Sequence, residues 1–217
     1  MNKLFLLTIA LFLSAGCLTG QELKLGLVKY RGGGDWYANP TALPNLAAFC
    51  NRQLNTNFNP QYAVVDPAGV EIFNVPFLHI TGHGNIIFDE KERANLRQYL
   101  LAGGFLHIDD NYGLDTYIRR ELEKLFPEKE LVELPFTHPI YHQSYSFKNG
   151  LPKIHLHDNQ SPQGFALLHE GRVIVFYSYE SDLGDGWEDP AVHNDTEDKH
   201  IEALKMGANI IEYALHH

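Results

Sequence analysis

The densest chemistry in the chain is the string His107-Ile108-Asp109-Asp110, which closes an apolar run beginning at Phe105. On an extended strand, His107 and Asp109 point to one face and Ile108 and Asp110 to the other. Adjacent carboxylates at a strand end raise each other's pKa, which suits acid–base work or a divalent cation. Asp110 is equally placed to cap a following helix. Three other strings join it. Arg31-Gly-Gly-Gly-Asp35-Trp36 offers backbone amides to an anion or a simple turn, without the spacing of a dinucleotide fingerprint or P-loop. Gly82-His83-Gly84 sets an imidazole between two residues that permit close backbone approach. His155-Leu-His157-Asp158 places two imidazoles on one face of an expected strand, where a solvated pair is the plainer outcome. Five acids fall between Glu180 and Asp189. They lack the alternation of an EF-hand and are expected to form a solvated acidic loop. No Gly-x-Ser-x-Gly elbow occurs, and Cys50 falls mid-helix on an apolar face as a packed thiol.

These residues need elements to hold them. Strands are expected at 23–30, 62–66, 76–81 and 105–110, with a further strand near 153–157. A hairpin is expected to turn at His169-Glu170-Gly171. Helices are predicted over 43–54, from Asp89 to Ala102, over 114–126, and from Asp195 or Thr196 to the end. Asp89 and Glu92 have the spacing of a capping box. Ile201, Leu204, Ala208, Ile211 and Leu215 recur at helical spacing. Strands alternate with helices, and several strands are unbroken apolar runs. That pattern predicts an α/β three-layer sandwich with a mainly parallel sheet. Parallel strands deliver their loops to one edge, where ligands bind. Arg31, Asp35, Trp36, His83, Asp109, Asp110, Tyr112, Asp182 and Trp187 are therefore the candidate ligand-binding residues, on loops 31–36, 81–88, 109–113 and 178–187. Arg31 and the amides opening the 114–126 helix are the expected partners of the two acids. The site has no assigned catalytic residue, metal ligand or cofactor.

Composition narrows the class. The chain has 217 residues, 44% hydrophobic and 20% charged, with a formal net charge of −10. That length suits one domain with a sizeable core. That charge argues against nucleic acid or an anionic membrane as the main partner. Residues 1–20 read as a signal peptide: Lys3, then about a dozen apolar residues, fewer than the roughly 18–20 of a membrane span. Cleavage near Gly20-Gln21 leaves a single domain at 21–217 with no membrane insertion of its own. Lipidation at Cys17 or an uncleaved anchor are the other possibilities. The expected location is the periplasm or cell envelope. Cys17 and Cys50 are the only cysteines, so no disulfide forms inside the mature domain.

The strings AGGFLHIDDNYG, THPIYH, GRVIVFYSYESDLGDGW and GANIIEYAL together resemble an uncharacterised bacterial family, domain-of-unknown-function family 4159. The resemblance spans roughly 23–215. It implies a branch of the class I glutamine amidotransferase-like, flavodoxin-like superfamily, in which a helix, two glycines and a buried strand lead to a cysteine at a nucleophile elbow. Here that position holds His107-Ile108-Asp109-Asp110, so glutamine hydrolysis does not carry over. Two functions follow as expectations. The first is an exported, non-catalytic domain binding a small ligand or an envelope partner. The alternative is a carboxylate- or metal-dependent hydrolase of a glycan or peptide.

Overall fold

A computed structural model describes residues 23–217. The expected leader, its cleavage site and Cys17 lie outside the described residues. Seven strands form one sheet: β1 (Gly26–Val28), β2 (Ala63–Val65), β3 (Phe77–Ile80), β4 (Phe105–Asp109), β5 (Val132–Glu133), β6 (Gln163–His169) and β7 (Arg172–Tyr179). Their order is β2-β1-β3-β4-β7-β6-β5. The first five run parallel, β6 pairs antiparallel with β7, and β5 pairs antiparallel with β6. The helices are α1 (Ala42–Gln53), α2 (Glu90–Leu101), α3 (Asp115–Leu125), α4 (Leu183–Trp187), α5 (Pro190–His193) and α6 (Glu197–His216). Among the described residues no helix is long and apolar enough to cross a membrane.

The unbroken apolar strands explain the layering. Every residue of β3 and β4 is buried, so both sheet faces must be covered. Strand alternation then sorts the core in two. Leu106 and Ile108 pack with Leu96, Leu100, Ile118 and Leu122 of α2 and α3. Phe77 and Phe105 belong to the opposite core, with Leu46 and Cys50 of α1 and Leu204 and Ile211 of α6. The capping box forms as its spacing requires: Asp89 accepts from the Glu92 amide, and Glu92 accepts from the Asp89 amide. Glu170 and Gly171 both adopt positive φ, 50° and 81°. This two-residue turn matches the twist of a hairpin and makes β6 antiparallel to β7.

Two expectations fail. Residues 153–157 are not a strand. The nearest chain that Ile154 bonds follows β7, and β7 already pairs with β4 on one edge and β6 on the other. Ile154 gives a single backbone bond to Ser181 and has no ladder to join. Residues 178–187 are not all loop either, because α4 occupies the second half, and α5 follows it at once. The sheet reverses its winding at β1, which lies between β2 and β3, so the carboxyl edge there is the crevice where open α/β sheets take ligands.

Gly207 of α6 sets how closely that layer approaches. A β-carbon there would lie 2.6 Å from Leu46 and 2.8 Å from the ring of Trp187. Trp187 is fully buried and tied through its indole N–H to Ala203, so it cannot step aside. Gly207→Ala should destabilise the fold by about 1–3 kcal/mol through overpacking. Urea unfolding of the two proteins would measure it, and equal midpoints would refute it.

Candidate functional site

The site is built around the end of β4. Alternation turns Asp109 to the same side as Phe105 and His107, toward the α1/α6 layer. Its side chain is fully buried, and burying a carboxyl group is costly unless donors meet it. Three do. Ser178 Oγ donates to Oδ1 at 2.5 Å, the Leu183 amide to Oδ1 at 3.1 Å, and the Gly184 amide to Oδ2 at 2.7 Å. The last two are first-turn amides of α4, which no intrahelical carbonyl can reach. Glycine eases this approach, because a β-carbon at 184 would sit 3.0 Å from Asp109 Oδ2 and 3.1 Å from Thr81 Oγ1 and press on both. Burial nevertheless dominates and pushes the Asp109 carboxyl up to about 8, with the Ser178 bond opposing it and Asp182 adding repulsion.

Behind Asp109 runs a buried chain of hydrogen bonds. Ser178 Oγ lies 3.1 Å from His107 Nε2, and His107 Nδ1 lies 3.1 Å from His79 Nδ1. The two rings stack at 5.1 Å with Trp187 against both at 5.3 Å. Burial holds His79 down to about 3, and burial with His79 beside it holds His107 well below its usual value. Both imidazoles are thus neutral, and one N–H must serve the contact between them. His79 Nε2 has no partner. A bare lone pair there costs less than an orphaned N–H. We therefore assign the direction His79 to His107 to Ser178 to Asp109, each donating to the next.

On the opposite face Asp110 is a cap. Its Oδ1 accepts the Leu114 amide at 2.9 Å and its Oδ2 the Tyr177 hydroxyl at 3.2 Å. Burial raises its pKa, and the Leu114 amide opposes that. The expected amides at the start of α3 are thus found, but Arg31 is not a partner of either acid. Its guanidinium bonds Asp89 at 2.7 Å and Glu92 at 2.9 Å, because an isolated bridge to Ile87 turns residue 31 toward the start of α2. Asp35 accepts from the His83 amide and pairs with its ring at 3.1 Å, half-exposed, between the loops after β1 and β3. Trp36 packs edge-on against Tyr37, with the Lys29 ammonium 5.8 Å from its ring. Trp187 lies in the core beneath the site and lines no opening.

Asp109 and Asp182 do meet, together with residues outside the candidate set. Asn39 gathers four segments. Its Oδ1 accepts from Thr81 at 2.8 Å and from Asn111 at 2.5 Å, and its Nδ2 donates to Asp185 at 2.6 Å. Apart from the exposed Asp189, the acidic stretch is not solvated: Glu180, Asp182, Asp185 and Glu188 are buried. What buries it is the irregular segment 153–157. His155 Nδ1 lies 3.5 Å from Asp182 Oδ2 and 3.4 Å from Asp185 Oδ2, while Nε2 lies 3.0 Å from Asp195. Hydrogen bonds to Asp182 and Asp185, with the charge of Asp195, raise the His155 pKa to about 10 despite burial. His157 Nε2 bonds Asp182 at 2.6 Å, and the exposed ring of Tyr112 stacks on His157 at 4.5 Å. Asp182 takes a left-handed conformation at φ 59°, and its Oδ1 has no partner. With His79 Nε2 it is one of two buried side-chain polar atoms among the described residues left in that state.

A family model described as domain of unknown function (DUF4159) matches residues 24–215. The chain belongs to this family. No curated protein matches it. The matched span includes all seven strands and every residue that gathers around Asp109 and His155.

The raised pKa of Asp109 has a stability consequence with a definite sign. Its folded value, about 8, exceeds the usual carboxylate value of 3.8. The folded state therefore binds the proton more tightly, and the contribution of Asp109 is complete below about pH 4 and lost as pH rises toward 8. Asp109→Asn cannot titrate. Denaturant unfolding at pH 5 and pH 8 should show a larger loss of stability in the wild type than in the variant. Equal losses would place the Asp109 pKa in the ordinary range.

Proposed function

We propose that this is an exported cell-envelope protein whose domain, a flavodoxin-like and amidotransferase-like sandwich, binds a ligand or partner at the carboxyl edge of its sheet and does not hydrolyse glutamine. The observation that carries this reading is the commitment of both elbow carboxylates. Asp109 is fully buried against Ser178 and the α4 amides, and Asp110 holds the start of α3 and Tyr177. A nucleophile or general base must reach the substrate's atoms, and neither side chain is free to. The strand order, reversing at β1 with parallel neighbours on both sides, supports the flavodoxin-like assignment. The same commitment weighs against the alternative, a hydrolase of glycans or peptides working through Asp109 or Asp110.

Cys50 offers no substitute nucleophile. It is buried in α1, and burial, with the charge of Glu212, pushes its thiol up to about 12. A thiol held protonated and out of solvent attacks nothing. The purified protein should release no ammonia from glutamine above a buffer control. Ammonia release that disappears in Cys50→Ala would overturn the reading. Export is tested separately. Cells expressing the full chain should yield most of it, shortened at its amino terminus, in the periplasmic or membrane fraction. Full-length protein confined to the cytosol would defeat that part.

A further inference from the structure

We infer that His155, Asp182 and Asp185 form a binding site for a single zinc-class divalent ion at the carboxyl edge of the sheet. The three ligand atoms lie within 4.8 Å of one another, and an ion bound there would displace the proton that His155 shares with the two acids. The separations of His155 Nδ1 from Asp182 Oδ2 and Asp185 Oδ2 are 3.5 and 3.4 Å. A tetrahedral ion with bonds of about 2.0–2.1 Å has ligand edges of about 3.3–3.4 Å. Nδ1 is thus separated from each oxygen by about one edge of such a tetrahedron.

A second observation points to a ligand independently of this spacing. Asp182 is 1% exposed, and its Oδ1 has no hydrogen-bond partner. Orphaned buried acceptors are rare, and each calls for an explanation such as an ion. Oδ1 belongs to the carboxylate whose Oδ2 faces His155 at 3.5 Å.

The surroundings are those of a metal site. Metal-bound imidazoles give their other ring nitrogen to a carboxylate, and His155 Nε2 lies 3.0 Å from Asp195. The outer contacts of the two acids are equally in place. His157 Nε2 meets Asp182 Oδ2, the oxygen that faces His155, at 2.6 Å, and Asn39 Nδ2 meets Asp185 Oδ1 at 2.6 Å. An approach exists as well, since the side chains of His155 and Asp185 are 19% and 11% exposed. His193 Nε2 lies 3.7 Å from the other oxygen of Asp185, Oδ1, and 3.0 Å from Glu188. One imidazole with two carboxylates favours zinc or manganese over calcium, which seeks six to eight oxygens.

The test uses the full purified chain, stripped with chelator and dialysed against zinc. We expect one zinc per chain and a raised melting temperature. His155→Ala and Asp182→Asn should lose that uptake, and Asp195→Asn should bind 10–100-fold more weakly. His142→Ala, remote from the cluster, should bind as the wild type does. No zinc uptake by the wild type, or equal uptake by His155→Ala and Asp182→Asn, would overturn the inference. Cobalt absorption of the wild type gives a readout that needs no variant. Intense visible bands of four- or five-coordinate cobalt are expected, and the weak spectrum of six-coordinate cobalt would overturn the site. The binding reading is judged on ammonia release and cell fractionation, so either proposal can fail while the other stands.

Discussion

The burial of the Asp109 carboxyl group organises the functional edge of this protein. A carboxyl group taken wholly out of water must find donors or destabilise the fold. Here the donors come from elsewhere in the chain: the Ser178 hydroxyl at the end of β7 and the first amides of α4. The α4 helix must therefore begin directly over the end of β4. Once it does, Trp187 at its far end drops onto the stacked rings of His79 and His107. Asp185 turns toward Asn39, and Asp182 is held where His155 and His157 reach it. Gly184 leaves room for this, since a β-carbon there would press on Asp109, Thr81 and Asn111.

The two sheet faces use polar groups differently. On the α2/α3 side, Asp110 and Tyr177 close a cap beside an apolar core. On the α1/α6 side, two neutral histidines, a serine and an acid run in series through the interior. Such a series orders tautomers as well as positions, because each member can donate only once along it. It rigidifies the floor of the site. Above that floor the character changes from sealed to charged, with His155 drawing Asp182, Asp185 and Asp195 together at a partly open mouth. The second polar pair, Asp35 and His83, lies apart from this mouth, at the crevice where the sheet reverses its winding.

Much of the architecture was legible in the residues. The apolar runs of β3 and β4, the capping box at Asp89 and Glu92, the glycine turn after His169 and the periodic face of α6 each act over a few residues. Local physics therefore places them within a residue or two. The β-alternation in Phe105–Asp109 likewise assigned Asp109 and Asp110 to opposite faces, where they are found. The segment 153–157 went the other way. Its composition suits a strand, but whether it becomes one depends on a free sheet edge, and β4 and β6 had taken both edges of β7.

By itself, then, the sequence determined the alternation of strands and helices, the buried parallel centre of the sheet, the family, and the polar loops at one edge. The partners of the charged groups were decided only in three dimensions. Arg31 pairs with Asp89 and Glu92 at a separation of about sixty positions. His155 meets Asp195 across forty and Asn39 meets Asp185 across 146. Five acids between Glu180 and Asp189 look solvated when read in order. Most of them are buried where distant residues bond them, Lys153 to Glu180, His155 to Asp182 and Asp185, and Thr41 to Glu188, and no local pattern records that arrival.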